Sequence, residues 1–167
     1  RVYRYYDILP GNQFRPTCLG YHGKTDAVKA LTVSCNIFFY DVGRRLGPDQ
    51  MNVYANLLGL GVPTGIELSE SVGGISGPER SQSLGKTWVQ GDICQAAIGQ
   101  MDTNVTPLQM AVQAMTLANR GARYQAHLVK EVRSYDDAEI LSSTQKKVLS
   151  QFEMSDSTFE TIKDGMI

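Results

Sequence analysis

The stretch from Thr106 to Gly121 constrains the fold of this chain more than any other. A threonine cap followed by Pro107 starts a helix, and Gly121 stops it. Leu108, Ala111, Val112 and Met115 form one apolar face, which Met110, Ala114 and Leu117 widen. Only Gln109, Gln113, Thr116 and Arg120 remain for a polar stripe. A helix this apolar is stable only with other elements packed around it.

Other helices read from caps and stops. Lys24 to Leu31 suits a short helix capped by Thr25 or Asp26. Asn36 to Leu46 reads as a helix with Phe39, Val42 and Leu46 on one face, Arg44 and Arg45 in its last turn, and Gly47 as stop. Pro48 starts another, running to about Leu58 and ended by Gly59 and Gly61. Asp92 caps a short helix through Ile98. Residues 1–23 form an irregular lead-in, and 59–91, rich in Gly, Ser and Pro, a long loop. Ala126 to Tyr135 reads as a strand with turn signals at Asp136-Asp137. A helical stretch is expected near 143–153. A last helix should run from about Ser155, with capping-box spacing at Ser157 and Glu160, into Gly165-Met166-Ile167. The expected class is mainly α, with a short β strand or hairpin near 126–141.

Composition removes several function classes. A net charge of −1 over 167 residues gives no reason to expect nucleic acid or an anionic membrane surface as partner. No apolar run approaches the ~18 residues of a membrane span. The first residue is Arg rather than Met, so the parent protein is expected to begin upstream. Cys18, Cys35 and Cys94 cannot all pair within one chain, match no zinc or redox spacing, and read as buried idle thiols. His22 and His127 read as ordinary polar residues, so no metal or organic cofactor is expected. Trp88 reads as packing. Gly23-Lys24-Thr25 lacks the earlier glycine of a phosphate-binding loop.

Ser34-Cys35-Asn36 opens the Asn36 helix. Alone, Ser and Asn are simply good cap residues. Their surroundings give them more meaning. In order the chain reads Gly23-Lys24-Thr25-Asp26, Ala30-Leu31-Thr32-Val33-Ser34-Cys35-Asn36-Ile37-Phe38-Phe39-Tyr40, Leu60-Gly61-Val62-Pro63-Thr64-Gly65-Ile66-Glu67-Leu68, and Trp88 with Gly91-Asp92. It continues with Ala97-Ile98-Gly99-Gln100, Val105-Thr106-Pro107-Leu108-Gln109-Met110-Ala111, Ala118-Asn119-Arg120-Gly121 and Gly165-Met166. This series resembles the transpeptidase domain of class B penicillin-binding proteins, nearest the elongation-type (penicillin-binding protein 2) group, over most of residues 20–125.

The resemblance implies the helical lobe of the penicillin-binding transpeptidase, or serine β-lactamase-like, fold. Residues 1–167 would be a fragment of one such domain: lead-in 1–23, helical lobe 24–125, and 126–167 leading toward a catalytic strand. The family order is Ser-x-x-Lys, Ser-x-Asn, Lys-Thr-Gly. By analogy Ser34 is a proton relay and Asn36 orients the substrate amide, with Gly99 and Gln100 near the cleft. Cys35 would point away and carry no chemistry. The 33 residues before Ser34 contain no serine, and no Lys-Thr-Gly occurs in the chain. Ser83-Leu84-Gly85-Lys86 and Ser143-Thr144-Gln145-Lys146 fit Ser-x-x-Lys but stand in the wrong order, and Lys86-Thr87 is followed by Trp88.

The expectation is therefore a piece, inactive alone, of a D,D-transpeptidase that cross-links peptidoglycan stem peptides and binds β-lactams. The parent would be membrane-anchored, its domain outside the bacterial cell membrane. A β-lactam-sensing receptor domain and a non-catalytic interaction module are the alternatives. A lobe cut from its sheet should also self-associate or be only marginally stable.

Overall fold

A computed structural model describes residues 1–8 and 14–166. Residues 9–13 of the lead-in, and Ile167 at the expected end of the last helix, lie outside the described residues. The chain divides into two compact units, one of Arg1–Tyr54, Gly74–Thr103 and Met154–Ile167, the other of Ala55–Gly73 and Asn104–Glu153. The fold is mainly helical, with four short strands in two antiparallel pairs.

In the first unit, α1 (Ala27–Thr32) begins at Asp26, whose carboxylate accepts from the Lys29 N–H at 2.9 Å. α2 (Asn36–Leu46) follows after three residues and ends at Gly47, and α3 (Pro48–Leu57) starts on its proline. α2 buries Tyr40 and Gly43, while Val42 and Leu46 are each 41% exposed. The expected Phe39, Val42, Leu46 face is thus not the core face. A tyrosine whose hydroxyl donates to the Thr17 carbonyl at 3.1 Å takes the core position. Gly43 lets α5 (Asp92–Ala96) approach, since a Cβ there would sit 2.3 Å from the Ala97 Cβ. The lead-in contributes Tyr3 and Tyr6 to a core with Tyr40, Ile93 and Cys94, against which Trp88 packs. The long loop contains a helix of its own, α4 (Pro78–Ser83), started by Pro78.

The last helix, α7 (Asp156–Gly165), is capped by Ser155, whose hydroxyl accepts from the Thr158 N–H at 3.1 Å. It packs on α1, and Gly165 is needed there: a Cβ would meet the Leu31 Cβ at 2.6 Å.

The second unit is built on α6 (Pro107–Ala118), with a complete capping box between Thr106 and Gln109. Its fully buried residues are Val112, Gln109 and Thr116, the last two drawn from the expected polar stripe. Gln109 donates to the carbonyls of Val62 at 2.8 Å and Val72 at 3.0 Å; Thr116 returns its hydroxyl to the Val112 carbonyl at 2.7 Å. A buried polar side chain is stable when so satisfied. β1 (Ala122–Tyr124) pairs with β4 (Val148–Gln151), and β2 (Glu131–Arg133) with β3 (Ile140–Ser143). The expected strand over 126–135 is therefore split and shifted. The helical stretch expected near 143–153 is a strand, because pairing with β1 supplies hydrogen bonds that a local reading cannot see.

Candidate functional site

Ser34 stands where α1 ends. Its N–H donates to the Leu31 carbonyl at 3.1 Å, and the Cys35 N–H to the Ala30 carbonyl at 2.9 Å. These two bonds make a Schellman ending, whose hinge residue adopts a left-handed conformation and is usually glycine. Here the hinge is Ser34, at φ 50°. The same pair of bonds ends α5 at Gly99, φ 74°, with the glycine that the geometry favours. A serine in this region carries a strain of about 1–2 kcal/mol; Arg120 takes the same left-handed place at the end of α6, at φ 53°.

The triplet splits three ways. Ser34 is exposed, Cys35 is buried, and Asn36 is half-buried at the first turn of α2. Cys35 caps α2 with no side-chain bond. Tyr40, one turn on from Asn36, is fixed by its hydroxyl donating to the Thr17 carbonyl at 3.1 Å. At the far end of α2, Asp41 accepts from Tyr3 at 2.9 Å, Arg44 at 3.0 Å and Arg45 at 2.7 Å. Burial pushes its carboxyl up, but these donors outweigh burial and hold it below the usual range.

Gly99 and Gln100 follow α5, the helix that packs on Gly43 of α2. Both are exposed, and the Gln100 carbonyl accepts from the buried Ser76 hydroxyl at 3.1 Å. The approach of α5 to α2 is at Gly43, seven residues along the helix from Asn36.

The decoy pairs form no Ser–Lys dyad. The Ser83 hydroxyl donates to the Arg80 carbonyl, whereas Lys86 is bound by Asp102. Ser143 accepts from Gln145, and the Lys146 ammonium lies over the Tyr124 ring at 4.1 Å.

One cluster was missed in the sequence. Cys18, His22 and Cys35 bring their donor atoms within 4.8 Å of one another, on the wall of an open cavity of about 570 Å³. His22 is half-buried and Cys18 and Cys35 are buried free thiols, as expected; their closeness to one another was not. The signal was the four-residue step from Cys18 to His22; Cys35 joins only through the turn before α2. The Cys18 sulfur and His22 Nδ1 are 3.6 Å apart. Tetrahedral zinc, with Zn–S of ~2.3 Å and Zn–N of ~2.0 Å, would hold those atoms about 3.5 Å apart. Two sulfurs and an imidazole suit such a soft divalent ion. Gly20 makes room for the ring, because a Cβ there would lie 2.5 Å from Nε2. Burial pushes the Cys18 thiol up, but hydrogen bonds from Gly20, Asn36, Ile37 and Cys35 outweigh it and lower it below its ordinary value.

A family model described as the penicillin binding protein transpeptidase domain matches residues 6–167. The chain belongs to this family, and its relatives are of the PBP2 type. The peptidoglycan D,D-transpeptidase MrdA of Acinetobacter baumannii is 30% identical over 166 residues, 97% of this chain and 24% of that protein. MrdA of Haemophilus influenzae is 37% identical over 131 residues, 76% of this chain and 20% of that protein. The crystal structure of Pseudomonas aeruginosa PBP2 shares the fold at a TM-score of 0.75 and 21% identity, covering 95% of this chain and 34% of that one. A chain of a peptidoglycan synthase complex matches at 0.70 and 27% identity, covering 86% and 23%. The chain spans about a quarter of the length of the curated relatives it matches.

Proposed function

We propose that this chain supplies the middle active-site motif of a peptidoglycan D,D-transpeptidase. The observation that carries the reading is Ser34, exposed and held at φ 50° where glycine would be the relaxed choice. In the reading, the Ser34 hydroxyl passes a proton toward the leaving amine, since a hydroxyl donates and accepts at once. Asn36 orients the substrate amide from the first turn of α2, and Gly99-Gln100 borders the cleft. The acylated serine, its lysine and the last strand come from parts of the domain beyond these 167 residues. The domain works outside the cell membrane on stem peptides and takes β-lactams as substrate mimics. Among the described residues no helix is long and apolar enough to cross a membrane, so in this reading the anchor also lies elsewhere.

The donor geometry favours a second component, a zinc-like ion on Cys18, His22 and Cys35. Three protein ligands leave a fourth position for water or another side chain. Its contribution would be structural, tying the lead-in to the turn that holds Ser34.

The test is acylation by a fluorescent penicillin. In the full-length protein, Ser34→Ala and Asn36→Ala should each slow labelling by about a hundredfold or more, the usual worth of a positioned proton-transfer group. The 167-residue chain alone should not label. Labelling of Ser83 or Ser143 would refute this assignment of roles. Labelling of the full-length protein without cross-linking of stem peptides would mark a sensor instead of a transpeptidase.

A further inference from the structure

The Cys18–His22–Cys35 cluster holds more than a metal-binding geometry. Two of its three donors are thiols, buried to 2% and 6% exposure, and they meet within 4.8 Å. Their backbones are pinned independently. The Cys18 N–H donates to the Arg1 carbonyl at 2.9 Å, and the Cys35 N–H closes the turn after α1. Both line the 570 Å³ cavity, so a small reagent has a way in. Cys94, in contrast, packs in the tyrosine core with its sulfur 3.7 Å from the Tyr6 hydroxyl.

We propose that Cys18 and Cys35 are a redox-active pair that closes to a disulfide, a state incompatible with a bound ion. Closing the gap to ~2.05 Å moves each sulfur by no more than about 1.5 Å. One thiolate attacks a sulfur of a small disulfide donor; a mixed disulfide forms and half of the donor leaves as a thiolate. The second cysteine then attacks the first, forming the Sγ–Sγ bond and expelling the other half. Two electrons pass from the cysteines to the donor, and the two thiol protons end on the donor thiols. His22 is then the cluster's one donor with a free lone pair of this type, and one imidazole does not hold a divalent ion tightly. The bond would also lock the lead-in to the residue between Ser34 and Asn36, making the site sensitive to the oxidising state outside the membrane.

The ion-release part rests on the metal reading above; the disulfide does not. The full-length protein, reduced and either zinc-loaded or chelated, is treated with oxidised glutathione. Peptide mass spectrometry should find Cys18 joined to Cys35, two hydrogens lighter than the reduced pair, with Cys94 still alkylatable. Linking should run about tenfold faster in the chelated sample, because a metal-bound thiolate is a poorer nucleophile. A chromogenic chelator should detect one zinc released for each disulfide formed. Cys18→Ser, checked for folding by its thermal melt, should stop at glutathione on Cys35. Glutathione left on both cysteines without linkage, or a link to Cys94, would overturn the proposal. Linkage in a reduced protein that never took up zinc would support the pair and remove the metal reading.

Discussion

Ser34 shows what one residue contributes here. Its φ of 50° is set by two backbone bonds to Leu31 and Ala30, and its side chain takes no part in that turn. Stability and chemistry should therefore separate by substitution. Ser34→Gly relieves the left-handed strain but adds freedom to the unfolded chain, so the melting point should hold or rise slightly while penicillin labelling falls. Ser34→Val places a β-branched residue in the same region and should destabilise the fold by about 1–2 kcal/mol or more. Denaturant unfolding of the two variants beside labelling rates checks both. That the triplet opens α2 was legible from its residue types and neighbours. The left-handed turn was not, because serine carries no conformational signal for it; the hydrogen bonds around it do.

Among the elements, α6 carries the most information. Its start, stop and length were readable because Thr106, Pro107 and Gly121 are local signals. Its inner face was not, since Gln109 is satisfied by the Val62 and Val72 carbonyls, 47 and 37 residues away in sequence. Gln109→Leu should leave the Val62 and Val72 carbonyls unpaired and remove half of the capping box, costing about 3 kcal/mol or more at roughly 1–3 per lost group. Limited proteolysis should then cut within 59–73 before the rest of the chain unfolds. Glu70 anchors the same loop. Its carboxylate accepts from the Thr64 N–H and hydroxyl at 3.0 and 2.7 Å and from the Gly65 N–H at 3.0 Å. Burial raises that carboxyl, but the three donors outweigh it and hold it below its ordinary value. Its contribution to stability is therefore complete above an unfolded value of about 4.3 and is lost as pH falls through the lower folded value. Denaturant titrations from pH 7 downward should show that loss in the native chain, and a smaller slope in Glu70→Gln. β4 teaches the opposite lesson: its sequence suits a helix, and β1 makes it a strand.

At the scale of the whole molecule, the metal-type cluster of the first unit forms within the single stretch Arg1–Tyr54, where the lead-in folds back onto the turn before α2. Cys18 and His22 come from the lead-in and Cys35 from the turn before α2. An ion bound there stabilises only the folded state, by ~2.7 kcal/mol at a hundred times its dissociation constant. Zinc should raise the melting temperature of the full-length protein by several degrees, a chelator should reverse the shift, and Cys35→Ser should not respond to either. Elemental analysis should find one zinc per protein molecule, and its loss in Cys35→Ser.

The sequence by itself determined the helices with strong caps, the mainly helical class, and, through ordered motifs, the family to which the chain belongs. These are properties of neighbours in the chain, or of short patterns repeated in order. Tertiary structure alone decided that Gln109 and Thr116 face inward, that 148–151 is a strand, and that Cys18, His22 and Cys35 meet. Each of these depends on a hydrogen bond or a close approach between separate parts of the backbone, and the distance between such groups is fixed only when the chain has folded.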